Sequence, residues 1–161
     1  MWLALLALCF IAAAAHLRLG KPRSRAAAAE LFLVYVLAVY CGIAQIVRSV
    51  MVLVTGAPVM PHVQFTPGDP AVLWLAFFGL GCGAIGLLSV WKRGEFLLAP
   101  VVAWSIFWVG TTFAHVEMDQ WHGITSSWLM LAWTFATHGL IAVALVALYT
   151  LSRRQPRLVT A

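Results

Sequence analysis

Residues 27–54 read AAAELFLVYVLAVYCGIAQIVRSVMVLV, and this run decides the fold. A helix needs roughly 20 apolar residues to cross a hydrocarbon layer about 30 Å thick. The run is longer than that, and Glu30 and Arg48 are its only charged residues. Working outward, four further apolar runs appear at residues 2–17, 71–91, 96–116 and 128–151, each closed by charge, Gly or Pro. The first has no basic leader ahead of it, which argues against a cleaved signal peptide. Pro58, Pro61, Pro67, Gly68 and Pro70 mark the loop after the second run as unable to continue a helix. Only Lys92-Arg93-Gly94-Glu95 separates the third run from the fourth, which predicts an antiparallel hairpin.

The chain therefore reads as one domain, residues 1–161, an all-α integral membrane bundle of five transmembrane helices. Composition agrees. Of its residues 63% are apolar and 9% charged, with a mean hydropathy of +0.96, against about 25% charged in soluble domains. A soluble enzyme, a disordered chain and a secreted disulfide scaffold are excluded on these grounds. No internal repeat is evident, and an odd number of spans argues against an inverted-repeat transporter.

Charge sets the orientation. Five spans place Arg18, Lys21, Arg23, Arg25, Lys92, Arg93, Arg153, Arg154 and Arg157 on one side, nine of the ten basic residues. The other side carries Asp69, Glu117 and Asp119 and no basic loop residue. The positive-inside rule then puts the N-terminus outside and the C-terminus in the cytoplasm. The net charge of +5 is topology, and a nucleic-acid partner does not follow from it.

Several helix faces carry more than lipid contact. Ala76, Gly79, Gly83 and Gly86 fall within about 80° on a 3.6-residue helix. Small residues let backbones approach where lipid gives no hydrophobic drive, so this face is expected against a helix of the same bundle; lining a ligand cleft is the alternative. Glu30, Cys41, Gln45 and Arg48 project within about 60° of one line. Glu30 and Arg48 stand about 27 Å apart along the helix, too far to pair, and both can snorkel to an interface. Ser105, Trp108, Thr112 and His115 share a face in the fourth span, as do Ser127, Thr134 and His138 in the fifth. Intramembrane hydroxyls usually bond their own backbone or a neighbouring helix.

The densest set of coordinating groups is His115-Val116-Glu117-Met118-Asp119-Gln120-Trp121-His122, where the fourth span leaves the membrane. If the helix persists, His115, Asp119 and His122 reach one side, and imidazole with carboxylate suits Zn, Fe, Mn or Cu(II). A polar ligand or proton site and a plain solvated loop are the competing readings. Arg48 would disfavour a cation nearby and favour an anionic headgroup, carboxylate or quinone oxygen. No two membrane-level histidines match in depth, which argues against a bis-His haem; a single-histidine cofactor site at His138 stays open beside a His bonded to Ser or Thr. Cys9, Cys41 and Cys82 form no C-x-x-C pair and read as small hydrophobes. Trp2, Trp91, Trp121 and Trp128 read as interface anchors; Trp74, Trp104, Trp108 and Trp133 lie deeper, as packing or as a stack for a flat ligand.

The basic stretch with Ala29-Glu30-Leu31-Phe32-Leu33, the glycine-rich third span, the turn at residues 91–96 and Ala114-His115 carry a resemblance over about two-thirds of the chain. In this order they resemble an uncharacterised family of small bacterial polytopic membrane proteins of unknown function, loosely similar in architecture to DoxX-like proteins. The chain departs from that pattern at Gln64-Phe65-Thr66-Pro67-Gly68-Asp69 and at residues 117–127. The resemblance implies a bacterial inner (cytoplasmic) membrane location, points at Glu30 and His115, and implies no activity.

The leading functional expectation is a non-enzymatic accessory or scaffold subunit of a membrane assembly. Its partners are the lipid bilayer and other membrane subunits, with oligomerisation open. The alternative is a membrane redox or metal-linked enzyme with an outer-face site on His115, Asp119 and His122, handling a quinone or lipid-like substrate. A small transporter using the stripe from Glu30 to Arg48 is third.

Overall fold

The computed structural model describes residues 2–20, 24–55, 70–122, 132 and 135–154. They form five helices and, among the described residues, no strand: α1 (Trp2–Gly20), α2 (Arg25–Thr55), α3 (Pro70–Leu88), α4 (Leu98–His122) and α5 (Phe135–Arg153). Three apolar stretches are long enough to cross a membrane: Arg25–Thr55, Gly94–Ala114 and Phe135–Arg153. The other two helices, α1 and α3, are also apolar and have 19 residues each, about 28 Å of axial length.

Local chemistry fixes the boundaries. Ser24 is extended (φ −154°, ψ 161°), and its hydroxyl accepts from the Ala27 amide while its carbonyl accepts from the Ala28 amide. That N-cap starts α2 immediately after the basic loop. The third helix ends at Leu88, three residues before the expected boundary at 91, because the Leu88 carbonyl takes both the Trp91 and Lys92 amides in a tight turn. Gly94 follows at φ +66°, where a side chain would be strained. A single 3₁₀ turn, Gly94–Leu97, then feeds α4. The hairpin expected from the short Lys92–Glu95 spacer is present. At its other end α4 continues to His122, past the expected exit at 116. The expected start of the fifth run, at residue 128, lies outside the described residues.

The second helix is the hub. It packs against α1, α3 and α5, while α4 leans mainly on α5. Residues Ala29, Leu33, Leu37, Cys41, Gln45 and Ser49, spaced by fours, are all buried. On a regular helix each step of four drifts by about 40°, so five steps should carry this stripe a little more than halfway around. It stays aligned because Val36–Ile43 is π-helical, and the wider i→i+5 turns take the drift back. A second π segment, Phe135–Gly139, opens α5. Leu33, Leu37, Tyr40, Cys41, Trp104, Trp108, Ile141 and Leu145 form the main core. Large apolar side chains such as Ile11, Phe77, Ile106 and Val143 point outward from the remaining faces.

Candidate functional site

The small-residue face of α3 meets α2 closely. A Cβ placed on Gly86 would stand 2.6 Å from the Leu37 carbonyl oxygen and 3.1 Å from the Gly42 nitrogen. At Gly83 it would stand 2.7 Å from Ile46 Cγ1 and 3.1 Å from the Gly42 oxygen, and at Gly79 2.6 Å from Gln45 Nε2 and close to Ser49 Oγ. Ala76 continues the same buried face. Internal packing is thus the use of these glycines, and Gly81, on the other side, meets nothing within 4 Å. Gln45, one of the two polar residues singled out in mid-α2, is consumed here: it is buried where α3 crosses.

Glu30 is explained at the basic end. Its carboxylate lies 3.8 Å from the Arg93 guanidinium, in the turn between α3 and α4. Glu95, on the same turn, pairs with Arg153 at the end of α5. His16 Nδ1 and the Tyr35 hydroxyl, 3.1 Å apart, join α1 to α2 nearby. These contacts gather five helix ends on one side, the grouping that the basic residues required. The Glu30–Arg93 pair is half-exposed, and such pairs contribute about 0–1 kcal/mol. A double-mutant cycle with Glu30→Gln and Arg93→Gln, read as thermal midpoints in detergent, should accordingly return a coupling below about 1 kcal/mol. Arg48 is half-buried toward the opposite end of α2, well separated from Glu30.

Between α2, α4 and α5 lies an aromatic interior. Trp104 and Trp108 are 1% and 4% exposed and stack with ring centroids 6.0 Å apart. Trp108 also contacts Tyr40 at 5.7 Å and His138 at 5.0 Å. His138, in the π segment that opens α5, has Nδ1 3.1 Å from the Thr137 hydroxyl, the His–Thr arrangement weighed against a cofactor site. Trp104 and Trp108 serve the core, whereas Trp74 is 76% exposed and Trp91 69% exposed, near opposite ends of α3. Thr111 and Thr112 donate to the Phe107 and Trp108 carbonyls, as expected for intramembrane hydroxyls. Ser105 departs from that pattern: its hydroxyl, like the indole N–H of Trp104, is buried without a hydrogen-bond partner among the described residues. Cys9, Cys41 and Cys82 are free thiols, and all three are buried in the main core.

The helix that carries His115, Asp119 and His122 is unbroken through the last of them. Their side chains lie outside the described residues, but the backbone register is set. A spacing of four and then three puts all three positions on one helix face within about 60°. Among the described residues no group of three His, Cys, Asp or Glu side chains gathers as a metal site. Residues 56–69, with His62 and Asp69, lie outside the described residues, as do Ser127 and Thr134.

Sequence reasoning placed the glycine face and the basic end correctly. It missed the two π segments, which have no composition signal, and the clamp role of Glu95, an ordinary turn residue in the sequence.

Residues 1–158 match the family of unknown function DUF6790, and the chain belongs to that family. No curated protein and no solved structure matches the chain.

Proposed function

We propose that this DUF6790 member is a five-span integral membrane protein that serves as a non-enzymatic accessory or scaffold subunit of a membrane assembly. On this reading the N-terminus is outside, the C-terminus is cytoplasmic and the membrane is the bacterial inner one, following the basic-residue asymmetry. The observation that carries the proposal is how the bundle uses its polar groups. Glu30 and Glu95 hold helix ends together, the α3 glycines seat Gln45 and Ser49, and the threonines of α4 bond their own backbone. Much of the polarity within the described bundle serves packing, and the outward surface between its two ends is largely apolar.

The test is purification of the full chain in mild detergent, with metal analysis, an optical spectrum and identification of co-purifying membrane proteins. Membrane subunits at fixed stoichiometry, with no metal or chromophore, are expected. A stoichiometric metal or chromophore that disappears in His115→Ala/His122→Ala would overturn the scaffold reading.

The persistence of α4 through His122 favours one second reading, a membrane redox or metal-linked enzyme acting on a quinone or lipid-like substrate. Its site would use His115, Asp119 and His122, with Arg48 or His138 contacting the cofactor or substrate.

A further inference from the structure

The basic end is more than a set of dispersed topogenic charges. Its two carboxylates, Glu30 and Glu95, are each committed to an arginine, Arg93 and Arg153. Both ion pairs converge on the turn after α3, tying it to the start of α2 and the end of α5. The cations that flank these clamps are left over: Arg18, Arg25, Lys92 and Arg154 are exposed and form no ion pair with a carboxylate among the described residues. They stand at the exits of α1, α3 and α5 and at the start of α2, around a turn that pairs with both α2 and α5. Trp91, exposed and adjacent to Lys92, adds an amphipathic ring at the same level, the preferred place of tryptophan at a headgroup boundary.

We propose that this end is a preorganised platform for an anionic glycerophospholipid, with Lys92 and Arg154 taking the headgroup phosphate beside the Trp91 ring. The proposal rests on the membrane reading above. Charge complementarity selects the occupant: with no acid among the described residues left to neutralise these cations, a phosphodiester whose acyl chains lie along the apolar belt satisfies both. A zwitterionic headgroup brings its own cation and gains less. Basic residues near a membrane surface each favour anionic lipid by about five-fold, and because Arg93 and Arg153 are held by carboxylates, the neighbouring Lys92 and Arg154 carry the effect.

The experiment is native mass spectrometry of the full chain in detergent, titrated with phosphatidylglycerol or with phosphatidylcholine of the same acyl chains. The wild type should retain phosphatidylglycerol in preference, and the preference should weaken as ammonium acetate is raised. K92Q/R154Q should lose roughly five-fold in that preference for each cation removed, while K92R/R154K should keep it. Both changes are at exposed positions outside the clamps, and an unchanged thermal midpoint confirms the fold. Equal retention of the two lipids by the wild type, or an undiminished preference in K92Q/R154Q, would overturn the proposal. So would displacement of the lipid by an equal concentration of glycerol 3-phosphate, which would reveal a site for a soluble anion. Phosphatidylcholine retained on the apolar belt reports membrane embedding separately, so loss of the preference leaves that reading standing.

Discussion

A Gly86→Val variant is expected to lose about 3 kcal/mol of bundle stability, the upper part of the range for overpacking a filled interior. The new Cβ would stand 2.6 Å from the Leu37 carbonyl oxygen and 3.1 Å from the Gly42 nitrogen. Both are backbone atoms of the π segment in α2, so no side chain can rotate out of the way. Either α3 withdraws along its length, forfeiting the contacts that hold it, or the wide turn of α2 closes and rotates everything beyond it. Gly79→Ala should cost less, since what its Cβ meets is the far end of Gln45 and the hydroxyl of Ser49. Gly81→Ala, with nothing within 4 Å, should be neutral within about 0.5 kcal/mol. Thermal midpoints of the three variants in one detergent check the order; a Gly86→Val midpoint equal to that of Gly81→Ala would show that the two helices do not touch as described.

The second large effect is expected at Trp108. Truncation to alanine removes a ring packed against Trp104, Phe107, Tyr40 and His138 at centroid distances of 5.0 to 6.0 Å. In water-soluble cores such a change costs about 3–5 kcal/mol, through lost transfer energy and a residual cavity. In a bilayer the transfer component is largely absent, because lipid is as apolar as the core. What remains is lost dispersion across a gap that the surrounding rings cannot fill, so a value near 3 kcal/mol, at the low end, is expected. Trp108→Phe should be much milder. The indole N–H loses at most a weak bond to the buried Cys41 thiol, and a phenyl ring preserves most of the aromatic contact. If Trp108→Phe destabilises as much as Trp108→Ala, the N–H has a role that packing does not supply.

The features legible in the sequence were those governed by composition and by spacing along one helix. Apolar runs closed by charge, Gly or Pro located the helices, and the four-residue spacer predicted the hairpin. The Ala76–Gly79–Gly83–Gly86 face announced a close helix contact because glycine in lipid has few other uses. What stayed hidden depended on backbone geometry or on partners distant in sequence. The π segments do not show because Val36–Ile43 differs from ordinary apolar helix in hydrogen-bond register, and nothing in its side chains demands that register. Glu30 looked like an intramembrane charge because its partner, Arg93, lies more than sixty residues away and meets it only once α2 and the hairpin are docked. The fourth apolar run ends at residue 116 because the residues beyond it are polar, yet polarity does not stop a helix that holds no Gly or Pro between residues 111 and 122.

The central position of α2 bears on how the chain is made. Under the membrane reading, synthesis delivers α2 into the bilayer before the helices that cover most of it exist. At that stage α1 can already shield part of it, through contacts such as Phe10 with Phe32 and His16 with Tyr35. The amide of Gln45 and the hydroxyl of Ser49, which α3 later seals, must wait in hydrocarbon or against the insertion machinery until the next helix emerges. On that reading the close seating of the α3 glycines bears on assembly as well as on packing. It ends the period in which a half-built bundle is open to capture by the wrong neighbour.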